Sequence, residues 1–220
     1  MKKVFYYVLA VCLMLVVCGF TLYETQEAHR FDLDDLYDYQ KEFKSEELDV
    51  CSSNTAKTYM DYRMTTVVDS RQYQFIHNFL TVDKRTGFLI DEDGFIAVAL
   101  GSYYGEIGDR YYFTLDSGIV LPIVKAEEKA DVDTDWTGCY HTIDGSVVEF
   151  VIDDEYAAAR FGTNSNGYVL DGNYNNYPLF SGSFVKVEKV LDERAEKVVT
   201  YEVDIETPSS IDIFNYASGY

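Results

Sequence analysis

The stretch Phe95–Asp153 reads FIAVALGSYYGEIGDRYYFTLDSGIVLPIVKAEEKADVDTDWTGCYHTIDGSVVEFVID, and its patterning decides the fold class. Phe95–Leu100 is an unbroken apolar run closed by Gly101, which predicts a short strand buried on both faces. Arg110–Leu115 alternates, with Tyr111, Phe113 and Leu115 on one face and Tyr112 and Thr114 on the other. Asp116-Ser117-Gly118 then reads as a hairpin turn, closed by a glycine that accepts positive φ. Ile119–Val124 is the return strand. Pro122 has no N–H to donate, which predicts that this strand lies at an edge or carries a bulge. Ser146–Ile152 is the fourth run, with Val148, Phe150 and Ile152 facing one way and Val147, Glu149 and Val151 the other.

Outside this stretch, Thr58–Val68 has strand-forming composition, and Arg71–Leu80 fits either a strand or a short helix. Lys84–Gly87 and Asp91–Gly94 read as turns, their acids being turn formers rather than ligands. Glu155–Phe161, with Ala157-Ala158-Ala159, predicts a short helix. Thr163–Tyr177, rich in Asn, Gly and Tyr, reads as a loop, and Ser183–Val190 as a closing strand. Val198–Ile205 is a candidate for one more strand. Short strands with turn signals and little helix predict an all-β fold, and periodicity alone does not choose between barrel and sandwich.

The N-terminus predicts a membrane anchor. Lys2 and Lys3 precede Val4–Tyr23, a run of 20 residues without charge and about as long as a bilayer span requires. No small-x-small cleavage site follows, and Val16-Val17-Cys18-Gly19 lacks the small residue expected before a lipidated cysteine. An uncleaved anchor at 1–23 is therefore the favoured reading over cleavage or lipidation, with the rest of the chain outside the cytoplasm. Residues 24–54 read as a juxtamembrane stalk, with the composition changing at Cys51-Ser52-Ser53-Asn54. Residues 191–220 read as an acidic C-terminal tail.

The formal charge is −20, and removing the two lysines of Met1–Tyr23 leaves −22 on the remainder, which excludes nucleic acid as a partner on electrostatic grounds. Cys12 and Cys18 fall in the anchor. Cys51 and Cys139 fall outside it, where an oxidising compartment would let them form one disulfide.

The order Ala97-Val98-Ala99-Leu100-Gly101, then Gly105, Gly108-Asp109-Arg110, a Gly-turned hairpin, an acidic patch and Val147-Val148-Glu149-Phe150 resembles a double-psi β-barrel. It is similar to the three-aspartate and rare-lipoprotein-A-like domains of bacterial cell-envelope proteins, with the lytic transglycosylase A core and the expansins as more distant relatives. The resemblance covers about 57–189 and fixes fold better than activity. It implies a six-stranded double-psi β-barrel domain at 55–190 with short peripheral helices, behind the N-terminal transmembrane helix. It also implies a single-pass protein of the bacterial cell membrane whose C-terminal domain is extracytoplasmic. The implied partner is peptidoglycan, another cell-wall glycan or an envelope protein, and no cofactor is implied.

The resemblance further implies two acids in a groove: Glu127 or Glu128 at the end of the third core strand, and Glu149 in a later strand. Both positions carry Asp in those relatives. Glu moves each carboxylate by about one methylene, which favours binding over cleavage. A lytic transglycosylase-like or glycosidase reaction would draw its acids from Glu127, Glu149 and Asp131. Trp136, Tyr140, His141 and Tyr104 are the candidates for holding a sugar, although loop and core roles are the plainer readings of a lone histidine and of scattered aromatics. Asp131, Asp133 and Asp135 form a D-x-D-x-D, but Trp136 and Thr142 stand where a calcium loop needs Gly and Glu, and the three histidines are too scattered for zinc. No metal site is expected.

Overall fold

A computed structural model describes residues 32–191. Nine strands form one sheet among them: β1 (Ser45–Leu48), β2 (Thr58–Asp61), β3 (Thr81–Val82), β4 (Leu89–Ile90), β5 (Ile96–Leu100), β6 (Arg110–Leu115), β7 (Val120–Glu128), β8 (Glu149–Ile152) and β9 (Phe184–Val190). Two α-helices, α1 (Arg71–Phe79) and α2 (Asp154–Phe161), and several short 3-10 turns complete the fold.

The hydrogen-bonded path runs β1-β9-β6-β7-β5-β4-β3, and β8 joins it by pairing with both β5 and β2. Two pairings are parallel, β5 with β7 and β2 with β8. The fold is mostly β with few helices, but the sheet is not closed into a barrel. This corrects the expectation of a six-stranded barrel. The start of β2 meets the start of β9 through irregular chain rather than a ladder. The Lys57 carbonyl accepts the N–H of Tyr174, and the Lys57 ammonium donates to the Gly182 carbonyl at 2.7 Å. Lys57 is wholly buried, so its ammonium also takes the Thr55 carbonyl and lies over the Phe184 ring.

β5 is buried on both faces, as its unbroken apolar run predicts. Ile96, Val98 and Leu100 enter the main core with Tyr111, Phe113, Val148, Phe150 and Ile152. Ala97 packs on the other side with Phe95, Tyr112, Val124, Val151 and Ile76 of α1. The β6–β7 hairpin turns at Asp116–Gly118, with Gly118 at φ 87°. Of the two alternatives that Pro122 predicts, an edge or a bulge, β7 is not an edge, being paired with β6 on one side and β5 on the other, but it carries a bulge at Ala126. Leu115 N–H bonds Ile119 O and Lys125 N–H bonds Asp109 O, so by alternation Pro122 and Tyr112 form a non-hydrogen-bonded pair. The missing donor therefore faces away from β6. The β5 ladder begins only at Ile123, so no bond is lost.

The stretch read as a stalk is packed on the domain over its described part. Leu33 and Leu36 are buried in the main core, and β1 pairs antiparallel with β9. Its apolar spacing marks a 3-10 turn, Leu33–Asp38, capped by Asp32. The ambiguous Arg71–Leu80 is helical over Arg71–Phe79, capped by the Ser70 hydroxyl. The expected anchor at 1–23 and all of the tail beyond Leu191, with its candidate strand, lie outside the described residues. Among the described residues no helix is long and apolar enough to cross a membrane.

Candidate functional site

A β-bulge sets the position of Glu127. β7 runs in register with β5 up to Val98↔Lys125, then shifts so that Ala99 pairs with Glu127 and Ala126 becomes the extra residue. A shift of one residue moves every later side chain to the other face. Before the shift, Lys125 follows Val98 to the core side, where its buried ammonium bonds the carbonyls of Gly101 and Gly105 and pairs with Glu128. After it, Glu127 shares the face of Ala99.

The opposite edge of β5 brings the second acid to the same row. Ala99 pairs with Glu149 of β8, and Glu149 pairs with Thr58 of β2. Glu127, Ala99, Glu149 and Thr58 thus form one row across four strands, with their side chains on one face. With strands ~4.8 Å apart, the α-carbons of the two glutamates are about 10 Å apart, and only the methyl of Ala99 stands between them. Burial raises the carboxyl of Glu127 to about 6; its hydrogen bond from Thr65 (3.1 Å) opposes this, and the charge of Glu149 adds to it. Burial also raises Glu149, opposed by Lys129 and His141 and assisted by Asp144. The Lys129 ammonium is lowered by its own burial and bonds the carbonyl and hydroxyl of Ser146 at 3.0 and 3.2 Å.

Glu149 opens into a cleft of about 700 Å³. Its floor is β2 with the start of β8. One wall is the loop bearing His141, Asp144 and Ser146, and the other is the turn at Asn166–Tyr168. His141 Nδ1 lies 3.2 Å from Asp144 Oδ1. Asp144 is held below the usual carboxylate range: its partial burial is outweighed by the N–H of Ser146 and by His141. At the far end Asp61 and Asp154 share Arg63, whose Nη1 lies 2.6 and 3.4 Å from them. Next to Tyr168, Leu170 and Asp171 both hold positive φ, at 47° and 57°. Backbone strain of this kind in non-glycine residues concentrates at functional sites.

The loop that forms the first wall is fastened at three points. Cys139 is joined to Cys51 by a disulfide, with the α-carbons 6.4 Å apart. The Tyr104 hydroxyl sits against both sulfurs. Thr134 bridges to His141, and Asp135 accepts the N–H groups of Thr137, Cys139 and Tyr140. Gly138 closes against Gly101 at the end of β5, where neither residue has room for a Cβ.

The sequence-predicted residues are therefore divided. Glu127, Glu149 and His141 converge at or beside the cleft. Asp131 does not line it: it accepts the Ser102 hydroxyl at 2.8 Å on an exposed turn. Glu128 pairs with Lys125. Trp136 projects into solvent at 96% exposure, Tyr140 is partly buried against the core, and Tyr104 is buried at 2%. The D-x-D-x-D acids act separately, as a turn acceptor, a backbone partner of Thr142 and a loop cap. Among the described residues no group of three or more His, Cys, Asp or Glu is arranged to hold a metal ion. The sequence reading misses Asp61, Asp154, Tyr59 and Tyr168 as cleft residues, because the non-local β2–β8 pairing that gathers them leaves no local mark. Compared with protein-family models, with curated proteins and with solved structures, the chain matches none of them.

Proposed function

We propose that the cleft between β2, β8 and the Asn166–Tyr168 turn binds a polysaccharide strand, peptidoglycan or another glycan of a bacterial cell envelope. The protein would act there as a membrane-anchored, extracytoplasmic module. The observation that carries this reading is the row Glu127–Ala99–Glu149 beside an open cleft. Two carboxyls with raised affinity for protons share one face, and an exposed tyrosine, Tyr168, stands on the opposite wall. Polar groups converging on a concave surface with an aromatic ring suit a sugar chain. The disulfide is compatible with an oxidising compartment, and the acidic surface argues against nucleic acid and anionic lipid. The family proposed is the double-psi relatives named above, on the sequence resemblance alone.

One observation favours cleavage as a second reading. A carboxyl that titrates near 6, as Glu127 does, is suited to protonate a glycosidic oxygen, and Glu149 would then stabilise the developing positive charge. Sedimentation of the protein with purified cell-wall material tests binding, and zymography on the same material tests cleavage. Failure to co-sediment overturns the binding reading. A cleared zone that Glu127→Gln and Glu149→Gln abolish would turn the module into an enzyme.

A further inference from the structure

We propose that the cleft selects polysaccharide whose sugars carry free amino groups. This deepens the glycan-binding reading above and rests on it. Four carboxylates line the cleft, Asp61, Asp144, Glu149 and Asp154, and no lysine or arginine does among the described residues. Arg63, behind the far end, is one guanidinium shared among Asp61, Asp153 and Asp154, so the acids there remain in excess. Asp144 accepts the Ser146 N–H and has His141 beside it, and with Glu149 it shares the one buried ammonium of Lys129 behind the wall.

Glu149 is the deciding group. It is half-buried and lines the cleft; among the described residues its carboxyl has no hydrogen bond or ion pair, and Lys129 and His141 act on it only through their charge. A ligand that covers it must supply a donor or leave a desolvated carboxylate offset only by the nearby Lys129 and His141. A sugar hydroxyl supplies a neutral donor. An ammonium supplies a charge-assisted one and also offsets the neighbouring acids. A uronic acid or a phosphate-bearing glycan would be repelled. The Tyr168 ring, 56% exposed on the opposite wall, offers a face to a sugar ring or to its ammonium. The net charge of −20 draws a cationic polymer from a distance and does the same for no neutral one.

The test compares fluorescent glucosamine hexamers, fully N-acetylated or fully deacetylated, titrated against the full-length protein. At low salt the deacetylated hexamer should bind at least about tenfold more tightly, and the gap should close at about 0.5 M salt, where exposed charges are screened. Glu149→Gln should narrow the gap. Equal affinities for the two hexamers overturn the selectivity and leave glycan binding standing. Binding of neither hexamer overturns both readings. Hexalysine binding as tightly as the deacetylated hexamer overturns the proposal by showing that the site reads charge without a sugar.

Discussion

Glu127 and Glu149 stand on either side of Ala99, one on β7 and the other on β8, facing the same way. Neither neighbouring strand would place them so without the bulge after Val98. Burial of two like charges in one row has a measurable consequence for stability.

The carboxyl of Glu127 is raised from about 4.5 to about 6 on folding. A raised carboxyl favours the folded state while it is protonated, and this contribution is lost as pH rises through that interval. Glu127→Gln keeps an acceptor for the Thr65 hydroxyl and removes the buried charge. It should raise Tm by about 3 °C at pH 7, from roughly 1 kcal/mol after allowing for partial solvent access. Near pH 4 the two proteins should melt together. A variant equally stabilised at both pH values would place the effect elsewhere.

Ala99 should be intolerant of size. Ala99→Leu inserts a branched side chain between the two carboxylates at a position with 2% exposure. A loss of about 1–3 kcal/mol in urea unfolding is expected from overpacking. Glycan affinity should fall by more than that of Val98→Ala, which removes bulk from the opposite face.

Reduction of the Cys51–Cys139 disulfide releases a loop closed over a sequence separation of 88. Chain entropy predicts a loss of about 3–5 kcal/mol. Cys51→Ala/Cys139→Ala should unfold at lower urea than the parent and become insensitive to reductant. A parent protein whose urea midpoint does not move with reductant would contradict this.

Arg110 is buried with Asp91, its Nε 2.7 Å from Asp91 Oδ2, and it also reaches Asp93 at 2.8 Å. Burial already raises the Asp91 carboxyl against the pull of Arg110. Arg110→Met leaves that carboxyl without its counter-charge and should cost about 3–5 kcal/mol at pH 7. The loss should shrink as pH falls and Asp91 accepts a proton. A loss independent of pH would assign the effect to the packing of Arg110 against Phe43 and Phe95 instead.

Legibility in the sequence follows the range of the interaction. The Arg110–Val124 hairpin and the doubly buried β5 carry their patterns locally, in period-two alternation and an unbroken apolar run. The extension of β7 to Glu128 does not. Glu127-Glu128-Lys129 reads equally well as a charged loop, because nothing nearby reveals that Gly101 and Gly105 will accept the buried Lys125 ammonium and carry the strand on. Glu149 is legible by strand parity and by the resemblance. His141 reads as a loop histidine, and only the disulfide-fastened loop brings it to the cleft. Leu33 and Leu36 read as scattered residues of a stalk and show their role only when β1 finds β9.

That last pairing also fixes how the domain answers to traction. Leu191 donates its N–H to the Lys44 carbonyl at 2.7 Å, so β1 begins and β9 ends at a single corner. Once a pull has freed Leu33 and Leu36 from the core, it loads the β1–β9 ladder from that corner, and its four pairs open in succession, as in unzipping, rather than together in shear. β1 ends the hydrogen-bonded path, whereas β2 lies off it, joined to β5 through β8. Peeling of β1 is therefore the mechanical fuse, and it stops at Cys51, where the disulfide carries the load into the loop that bears His141.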